Sequence, residues 1–225
     1  MKASLAMTLG LGTVALPWLF LEAVVVTPAE ACDNSMATVV AVSLPTLGDA
    51  EAQYVGSRKC MKCHMKQMRS WASGKKAKTL EVLLPGNAAE VKAKFDLDSS
   101  KDYSKDETCL GCHTTGYGHE GGYFIADPAD TTATKQARKL AGVGCEACHG
   151  PGGEYIKLHK EIMKAKRSYK TEEMYAAGLW KIEESVCVRC HNDKSATYDP
   201  TKPFDFDKMK DQGAHVHTPL KQRED

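Results

Sequence analysis

The sequence predicts a mostly helical, loop-rich fold. Helical periodicity appears in several short stretches, strand-forming runs are scarce, and one cysteine-histidine pentad recurs four times among 225 residues. The intervals between the pentads are unequal, which excludes a solenoid of regular repeats. The pentads are Cys60-Met61-Lys62-Cys63-His64, Cys109-Leu110-Gly111-Cys112-His113, Cys145-Glu146-Ala147-Cys148-His149 and Cys187-Val188-Arg189-Cys190-His191.

Each pentad carries the attachment signature of a c-type haem. Two thiols three residues apart bond to the haem vinyl groups, and the histidine that follows ligates the iron. Zinc sites also use Cys-x-x-Cys pairs, but they set no rule for the next residue, and disulfide frameworks need no histidines. We therefore predict four covalent haem c groups, held by the eight pentad cysteines, with His64, His113, His149 and His191 as proximal iron ligands.

The first 31 residues are predicted to be an export signal. Lys2 precedes an apolar stretch over residues 3–26, and small residues at 29–31 offer a cleavage site. Export agrees with haem c, which is attached after the chain leaves the cytoplasm. An uncleaved anchor is the alternative, although Glu22 disfavours it, and we expect no stable membrane span in the mature protein.

A second cleavage site is offered by residues 50–52. The mature chain then begins at Cys32 or at Gln53, and residues 53–225 form the tetrahaem cytochrome domain. Cys32 is the one cysteine outside the pentads, and its lipidation is an alternative that Glu30 disfavours.

About 50 residues per haem cannot bury an apolar side-chain core of ordinary size, so we expect the haems to form the core of one compact domain. The formal net charge of +1 argues against a nucleic-acid partner, which would require a basic excess. It also gives little support to electrostatic steering of a redox partner.

Helical segments are predicted in chain order over residues 58–71, 75–84, 88–95 and 154–167, then after Thr171 as a cap, and last from Pro203 onward. Residues 123–125 are β-like and residues 214–219 extended. The acidic segment 96–102 is a surface connection, with a calcium site as the alternative. Glycines cluster at 116–122 and 142–153, where we predict that they let the backbone lie against a flat haem.

From residue 54 onward the chain resembles a family of tetrahaem cytochromes. The family includes the electron acceptor of hydroxylamine oxidoreductase in nitrifying bacteria and the OmcE-type cytochromes, which polymerise into extracellular filaments in metal-reducing bacteria. Beside the pentads, the resemblance rests on Gly56-Ser57-Arg58-Lys59-Cys60 with Ser70-Trp71, Gly116-Tyr117-Gly118 with Gly121-Gly122-Tyr123, the run from Gly142 to Gly152, and Phe204-Asp205-Phe206-Asp207-Lys208-Met209.

The resemblance implies iron ligands outside the pentads. His159, ten residues after His149, takes the role of distal ligand to the first haem, and its helix turns it inward among apolar residues. His215 and His217, in a C-terminal His-x-His, serve the fourth haem.

Two departures from the family concern the second and third haems. Lys76 stands where the nitrifier protein has a histidine that ligates its third haem. His119 has no counterpart in that protein and is free to serve a haem other than its own.

The histidine count bears on mechanism. The four histidines outside the pentads, His119, His159, His215 and His217, bring the total to eight, which equals the number of axial positions on four irons. We therefore predict bis-histidine, low-spin ligation throughout, with one of the four being a surface residue as the alternative. A fully ligated iron carries electrons but has no open position for a substrate, which favours a carrier over an enzyme.

We thus predict an exported electron-transfer protein without enzymatic activity. The primary prediction is a subunit of an extracellular or cell-surface conductive filament, a homopolymer in which a tail histidine ligates a haem of the neighbouring subunit. The alternative is a monomeric periplasmic shuttle. A haem enzyme acting on small nitrogen oxides would need a five-coordinate iron with acid-base groups beside it. The expected partners are redox proteins or extracellular electron acceptors.

Overall fold

Short helices joined by loops make up the structure. The computed structural model describes residues 53–210, 212–213 and 215–225, which all lie in one compact unit. The predicted export signal, both cleavage sites and Cys32 lie outside the described residues. None of the described helices is long and apolar enough to cross a membrane.

The described part of the chain is helical and contains no strands. Two isolated β-bridges occur there, between Thr114 and Ala141 and between Tyr169 and Arg223. The prediction of a mostly helical, loop-rich fold is confirmed. The helices are α1 Met65–Ser73, α2 Ala89–Lys94, α3 Glu107–His113, α4 Thr131–Lys139, α5 Cys145–His149, α6 Gly153–Ala165, α7 Thr171–Ala176, α8 Glu184–Cys187 and α9 Phe206–Met209, with 3-10 segments at Ser57–Lys62, Lys76–Lys78 and Glu81–Leu83.

One continuous helix was predicted over residues 58–71, but the structure contains two separate helical segments there. A 3-10 segment and α1 replace the single predicted helix over 58–71, because the backbone of His64 leaves the helical region, with φ −112° and ψ 47°. Residues 75–84 form two 3-10 turns instead of one helix. The predicted helices at 88–95 and 154–167 are present as α2 and α6.

Other local predictions also differ from the structure. Thr171 begins α7 instead of capping it, and the N–H of the preceding Lys170 donates to the Glu173 carboxylate at 3.1 Å. Helix α4 was not predicted; Asp130 caps it by accepting the N–H groups of Thr132 and Ala133, both at 2.9 Å. Within the described residues, segment 96–102 included, no cluster of three or more histidines, cysteines or acidic residues that could hold a metal ion is formed.

The apolar side-chain core is small and divided. One cluster contains Leu83, Tyr103 and Leu110, and a second contains Ile162, Tyr169 and Met174. Two clusters of this size cannot stabilise a domain of this length alone. The structure is therefore consistent with an interior completed by haem.

Gly142 and Gly150, near the third pentad, lie against other parts of the chain, whereas the prediction placed these glycines against a flat haem. Gly150 has φ +79°, and a Cβ added there would lie 2.6 Å from the indole of Trp180. At Gly142, with φ +77°, an added Cβ would lie 2.6 Å from the carbonyl oxygen of Ala77. Protein atoms already occupy the space beside these two residues, so close packing of the chain on itself explains them.

Replacing Gly150 with alanine should lower the free energy of unfolding by more than replacing Gly86 does. Both residues have positive φ, 79° and 76°, but only Gly150 has an atom near the new methyl group. The overpacking against Trp180 should add about 1–3 kcal/mol to the backbone cost that both variants share. Denaturant titration of the two holoproteins, followed by circular dichroism, measures this difference. Equal losses would contradict the packing account.

Candidate haem centre

Each pentad begins in or at the end of a helical turn. The second and third lie within α3 and α5, the fourth starts at the end of α8, and the first begins in the 3-10 segment Ser57–Lys62. In the first and fourth pentads the histidine N–H donates to the carbonyl of the first cysteine, at 2.9 and 3.0 Å. Residues three and four apart share one helix face, so a single haem can bond both thiols and the imidazole.

Thiols from different pentads are close together. Two pairs are formed: Cys60 with Cys145, and Cys190 with Cys112. In both pairs, the neighbouring thiol raises the pKa of the first-named cysteine, Cys60 or Cys190. Burial raises the pKa of Cys148, and the nearby Cys187 adds to that rise. The attachment points of the first and third pentads therefore adjoin, as do those of the fourth and second.

The third pentad is held to the first by a buried carboxylate. Glu146 is 1% exposed and stands between the two cysteines of its own pentad. One of its oxygens accepts the N–H of Gly56 at 2.7 Å and the other accepts the N–H of Gly152 at 2.7 Å, while Val55 donates to both, at 2.9 and 3.2 Å. Burial raises the pKa of Glu146, and these N–H groups counteract the rise. This carboxylate fixes the segment that leads into the first pentad against the third.

Two further polar contacts link the other pentads to the third. The hydroxyl of Thr115, just after the second pentad, donates to Gly142 O at 2.8 Å and accepts the N–H of Gly144 at 2.9 Å. From the fourth pentad, Arg189 donates to Ala147 O at 2.7 Å. The third pentad thus contacts all the others, and these partners were not found from the sequence because their positions carry no motif.

Two histidines outside the pentads face pentad histidines. The ring centroids of His64 and His159 are 5.7 Å apart, and those of His149 and His215 are 6.1 Å apart. Metal–imidazole bonds of about 2 Å place two rings that share one ion about 6 Å apart, measured between centroids. Both separations therefore suit a single iron between the rings. His215 lies at the third pentad, whereas the resemblance assigned it to the fourth haem.

Contacts with α1 bring the C-terminal tail to this place. The amide of Gln67 donates to the Thr218 hydroxyl at 2.8 Å, and the N–H of Val216 donates to the Ser70 hydroxyl at 3.0 Å. These contacts carry His215 over the third pentad. Pairings between residues about 150 positions apart leave no trace in local sequence patterns.

Several histidines are prepared for iron binding by hydrogen bonds and by burial. His113 Nδ1 lies 2.6 Å from Thr79 O, and His215 Nδ1 lies 2.9 Å from Val216 O. A ring that donates from Nδ1 keeps Nε2 for a metal. Burial lowers the pKa of His149 to about 4 and also lowers the pKa of His64 and His159, which keeps these imidazoles neutral, as metal binding requires. The residues present fit the haem groups that the pentads predict.

The remaining predicted ligands are not brought opposite a pentad histidine. His119 is exposed on the glycine-rich turn, and His217 is exposed 5.1 Å from the ring of His215. At the fourth pentad, His191 stacks on Phe204 with centroids 4.7 Å apart, which is a packing contact.

Comparison with known proteins agrees with this geometry. The family model described as cytochrome c554 and c-prime matches residues 59–150. Cytochrome c-554 of Nitrosomonas europaea is 35% identical over 179 residues, a match that covers 71% of this chain and 73% of the relative. The solved structure of reduced cytochrome c554 from the same organism superposes with a TM-score of 0.63 and 31% identity, covering 78% of this chain and 91% of that one.

The chain belongs to the cytochrome c554 family. As a cytochrome c554 it is a tetrahaem c-type cytochrome, and the prediction of four covalent haem c groups is confirmed. It is an electron-transfer protein and not an enzyme, as its histidine content had indicated. The family model covers the first three pentads of this cytochrome c554, including Glu146, while the fourth lies beyond the matched range.

Replacing Glu146 with glutamine should destabilise the holoprotein. The amide NH₂ group replaces one acceptor oxygen and opposes backbone N–H donors, which leaves buried donors unsatisfied at a cost of about 2–3 kcal/mol. The matched control is Glu154→Gln, at an exposed side chain of α6. The free energy of unfolding of this variant should differ little from that of the unsubstituted protein. Thermal denaturation of both variants measures the difference, and similar stability would contradict the role of Glu146.

Proposed function

We propose that this cytochrome is a monomeric electron shuttle of the periplasm. Two features support the proposal: an exposed basic surface around the first pentad, and a tail histidine that faces a pentad histidine of its own chain. The predicted export signal is consistent with the compartment. When bound, each haem supplies an iron that takes up and releases one electron.

We propose specific residue roles at the haem sites. The pentad cysteines hold the four haems, and each pentad histidine is a proximal ligand. His159 is the distal ligand of the haem on Cys60 and Cys63, because its ring lies 5.7 Å from that of His64. His215 is the distal ligand at the third pentad for the corresponding reason. Tyr169 packs edge-on against His159, with centroids 5.7 Å apart, and restrains the orientation of that ring.

The basic surface is defined by residues 58–78. This segment contains eight lysines and arginines and no acidic residue, although the whole chain has a formal net charge of only +1. Seven of the eight are exposed: Arg58, Lys59, Lys62, Lys66, Arg69, Lys75 and Lys78. The 3-10 segments and α1 that carry them pack on one another, so the charges occupy one region of the surface.

A basic surface beside a haem site suits an acidic redox partner. Complementary charges raise the rate of encounter and orient the partner, which matters most for a carrier that must dock and leave repeatedly. Cys63 and Met65, within this surface, are exposed, so the first haem site lies near solvent. The net charge of +1 gave little support to electrostatic steering of a redox partner, because the acidic residues elsewhere in the chain offset the charge of this basic surface. Hydroxylamine oxidoreductase, the donor implied by the resemblance, is one partner to test.

The filament prediction finds less support. It required a tail histidine free to ligate a haem of a neighbouring subunit, and His215 instead lies 6.1 Å from His149 of its own chain. The C-terminal tail is also bound to α1 through Thr218 and Val216.

Removing either proposed distal ligand should affect one haem only. His159→Ala and His215→Ala should each convert about a quarter of the haem from low-spin to high-spin, because one of the four irons loses its sixth ligand. Electron paramagnetic resonance of the ferric protein measures the change. The matched control is His119→Ala, which should leave the spectra of the haems on the first and third pentads unchanged. Unaltered spectra in both test variants would refute the assignments.

Reversing charge on the basic surface should slow reaction with anionic redox partners. Lys62→Glu with Lys66→Glu should lower the rate of oxidation by hexacyanoferrate(III) about tenfold at low ionic strength, and added salt should reduce the difference. The matched control is Lys160→Glu with Lys164→Glu, an exposed pair of the same spacing on α6. Stopped-flow absorption measures the rates.

Two outcomes would contradict the shuttle proposal. Equal rates for the two double variants would mean that residues 58–78 do not steer anions. Filaments in electron micrographs of the purified mature protein, in place of a monomer in analytical ultracentrifugation, would restore the polymer as the functional form.

A further inference from the structure

Lys92 of helix α2 is a buried cation. It is 5% exposed, and the ammonium nitrogen donates to the carbonyl oxygen of Leu84 at 2.7 Å and lies 3.5 Å from that of Leu83. Within the part of the chain that the structure describes, no ion pair joins Lys92 to a carboxylate. Backbone dipoles therefore solvate the positive charge without neutralising it.

An aromatic ring supports the same ammonium. Lys92 Nζ lies 5.5 Å from the centroid of the Tyr103 ring, within the range of cation–π attraction. Tyr103 is itself buried, and its hydroxyl accepts the N–H of Asp98 at 3.0 Å, which holds the ring in place. Lysine is almost never buried without a paired charge, because desolvating an ammonium is unfavourable. The position of this charge therefore needs an explanation beyond packing.

Apolar side chains join the ammonium to the second haem site. Leu83 and Tyr103, which contact Lys92, form one buried cluster with Leu110. Leu110 stands within the second pentad and is 0% exposed, and Cys109 of the same pentad packs against this cluster. Because the side chains between the ammonium and the attachment site are buried, solvent screens the charge only weakly there.

A helical segment sets an upper limit on the distance from the ammonium to the proximal histidine. His113 Nδ1 lies 2.6 Å from Thr79 O, where residues 79 and 80 have helical dihedral angles and lead into the 3-10 segment that ends at Leu83. Four residues of such chain advance about 6–8 Å. Since Leu83 O is 3.5 Å from Lys92 Nζ, the ammonium lies within about 15 Å of the His113 ring.

We propose that the buried charge of Lys92 raises the reduction potential of the haem on Cys109 and Cys112. Reduction adds one negative charge to that haem site, and a nearby cation stabilises the added charge. At an effective dielectric constant of about 20, a unit charge about 15 Å away changes the equilibrium constant for reduction about fivefold. Lys92 thus acts through its charge and not as a ligand. The inference goes beyond the proposed shuttle function, since it concerns one haem and no partner.

Two neutral variants test the proposal. Lys92→Gln keeps an N–H donor for Leu84 O and removes the charge, whereas Lys92→Met removes both. In each variant the equilibrium constant for reduction of one haem should fall about fivefold, and Lys92→Arg, which keeps the charge, should restore it. Redox titration of the holoprotein followed by proton NMR measures the haems separately. Overhauser contacts with the β-protons of Cys109 and Cys112 identify the haem methyl resonances of the second pentad.

Lys94→Gln is the matched control. Lys94 lies on the same helix, and its Nζ is 5.5 Å from the ring of Phe95, the same separation that Lys92 has from Tyr103. Lys94 is exposed, however, so solvent and salt screen its charge. This variant should therefore leave the potentials of all four haems unchanged.

Three results would overturn the proposal: unchanged potentials in both neutral variants, a shift confined to another haem, or a shift that Lys92→Arg does not reverse. A purely structural Lys92 would lower the free energy of unfolding without moving the potential of the second haem. Mass spectrometry first confirms four haems in each variant, and Lys92→Met, whose side chain suits the apolar cluster, provides the same test if glutamine prevents maturation. The titration requires no partner protein and no particular oligomeric state, so its outcome is independent of the shuttle proposal.

Discussion

The carboxylate of Glu146 is the contact on which the arrangement of the haem sites depends. It lies between the two cysteines of the third pentad, so any displacement of its oxygens moves the helical turn that presents those thiols. A charge this deeply buried is unfavourable unless hydrogen bonds compensate it. Here the N–H groups of Val55, Gly56 and Gly152 supply that compensation and bind three separate segments to one point.

Polar links of this kind replace much of the apolar core that the chain does not have. Thr115 connects the second pentad to the third, and Arg189 connects the fourth, in both cases through backbone atoms beside α5. Hydrogen bonds are directional, so they can set the relative position of pentads even where few apolar side chains pack together. The protein thereby sets the relative positions at which the haems are attached.

The distribution of charge and the positions of the histidines both fit an electron carrier. Lysines and arginines between residues 58 and 78 form a basic surface around the first pentad, while acidic residues elsewhere bring the net charge to +1. A protein with such separated charge presents an oriented docking face without being strongly charged as a whole. Half-buried histidines from α6 and from the tail lie opposite pentad histidines of the same chain, which is the geometry expected of a carrier that is complete as a monomer.

The sequence by itself determined the chemistry and the class of fold, because both are local. Two cysteines and a histidine within five residues specify haem attachment wherever they lie, and the periodicity that predicted α2 and α6 acts over a few turns. Helix α4 was missed because its pattern is weak and its cap, Asp130, is one polar residue among many. The 3-10 geometry before His64 was missed because contacts with Glu146, about 90 positions away, override local preference.

The tertiary structure alone decided which histidines outside the pentads face a pentad histidine. Counting alone cannot distinguish the four histidines outside the pentads. In the structure, only His159 and His215 lie opposite pentad histidines. His215 reaches the third pentad because Gln67 and Ser70 hold the tail on α1 through Thr218 and Val216. Such outcomes depend on contacts between residues far apart in the chain, and no local pattern encodes them.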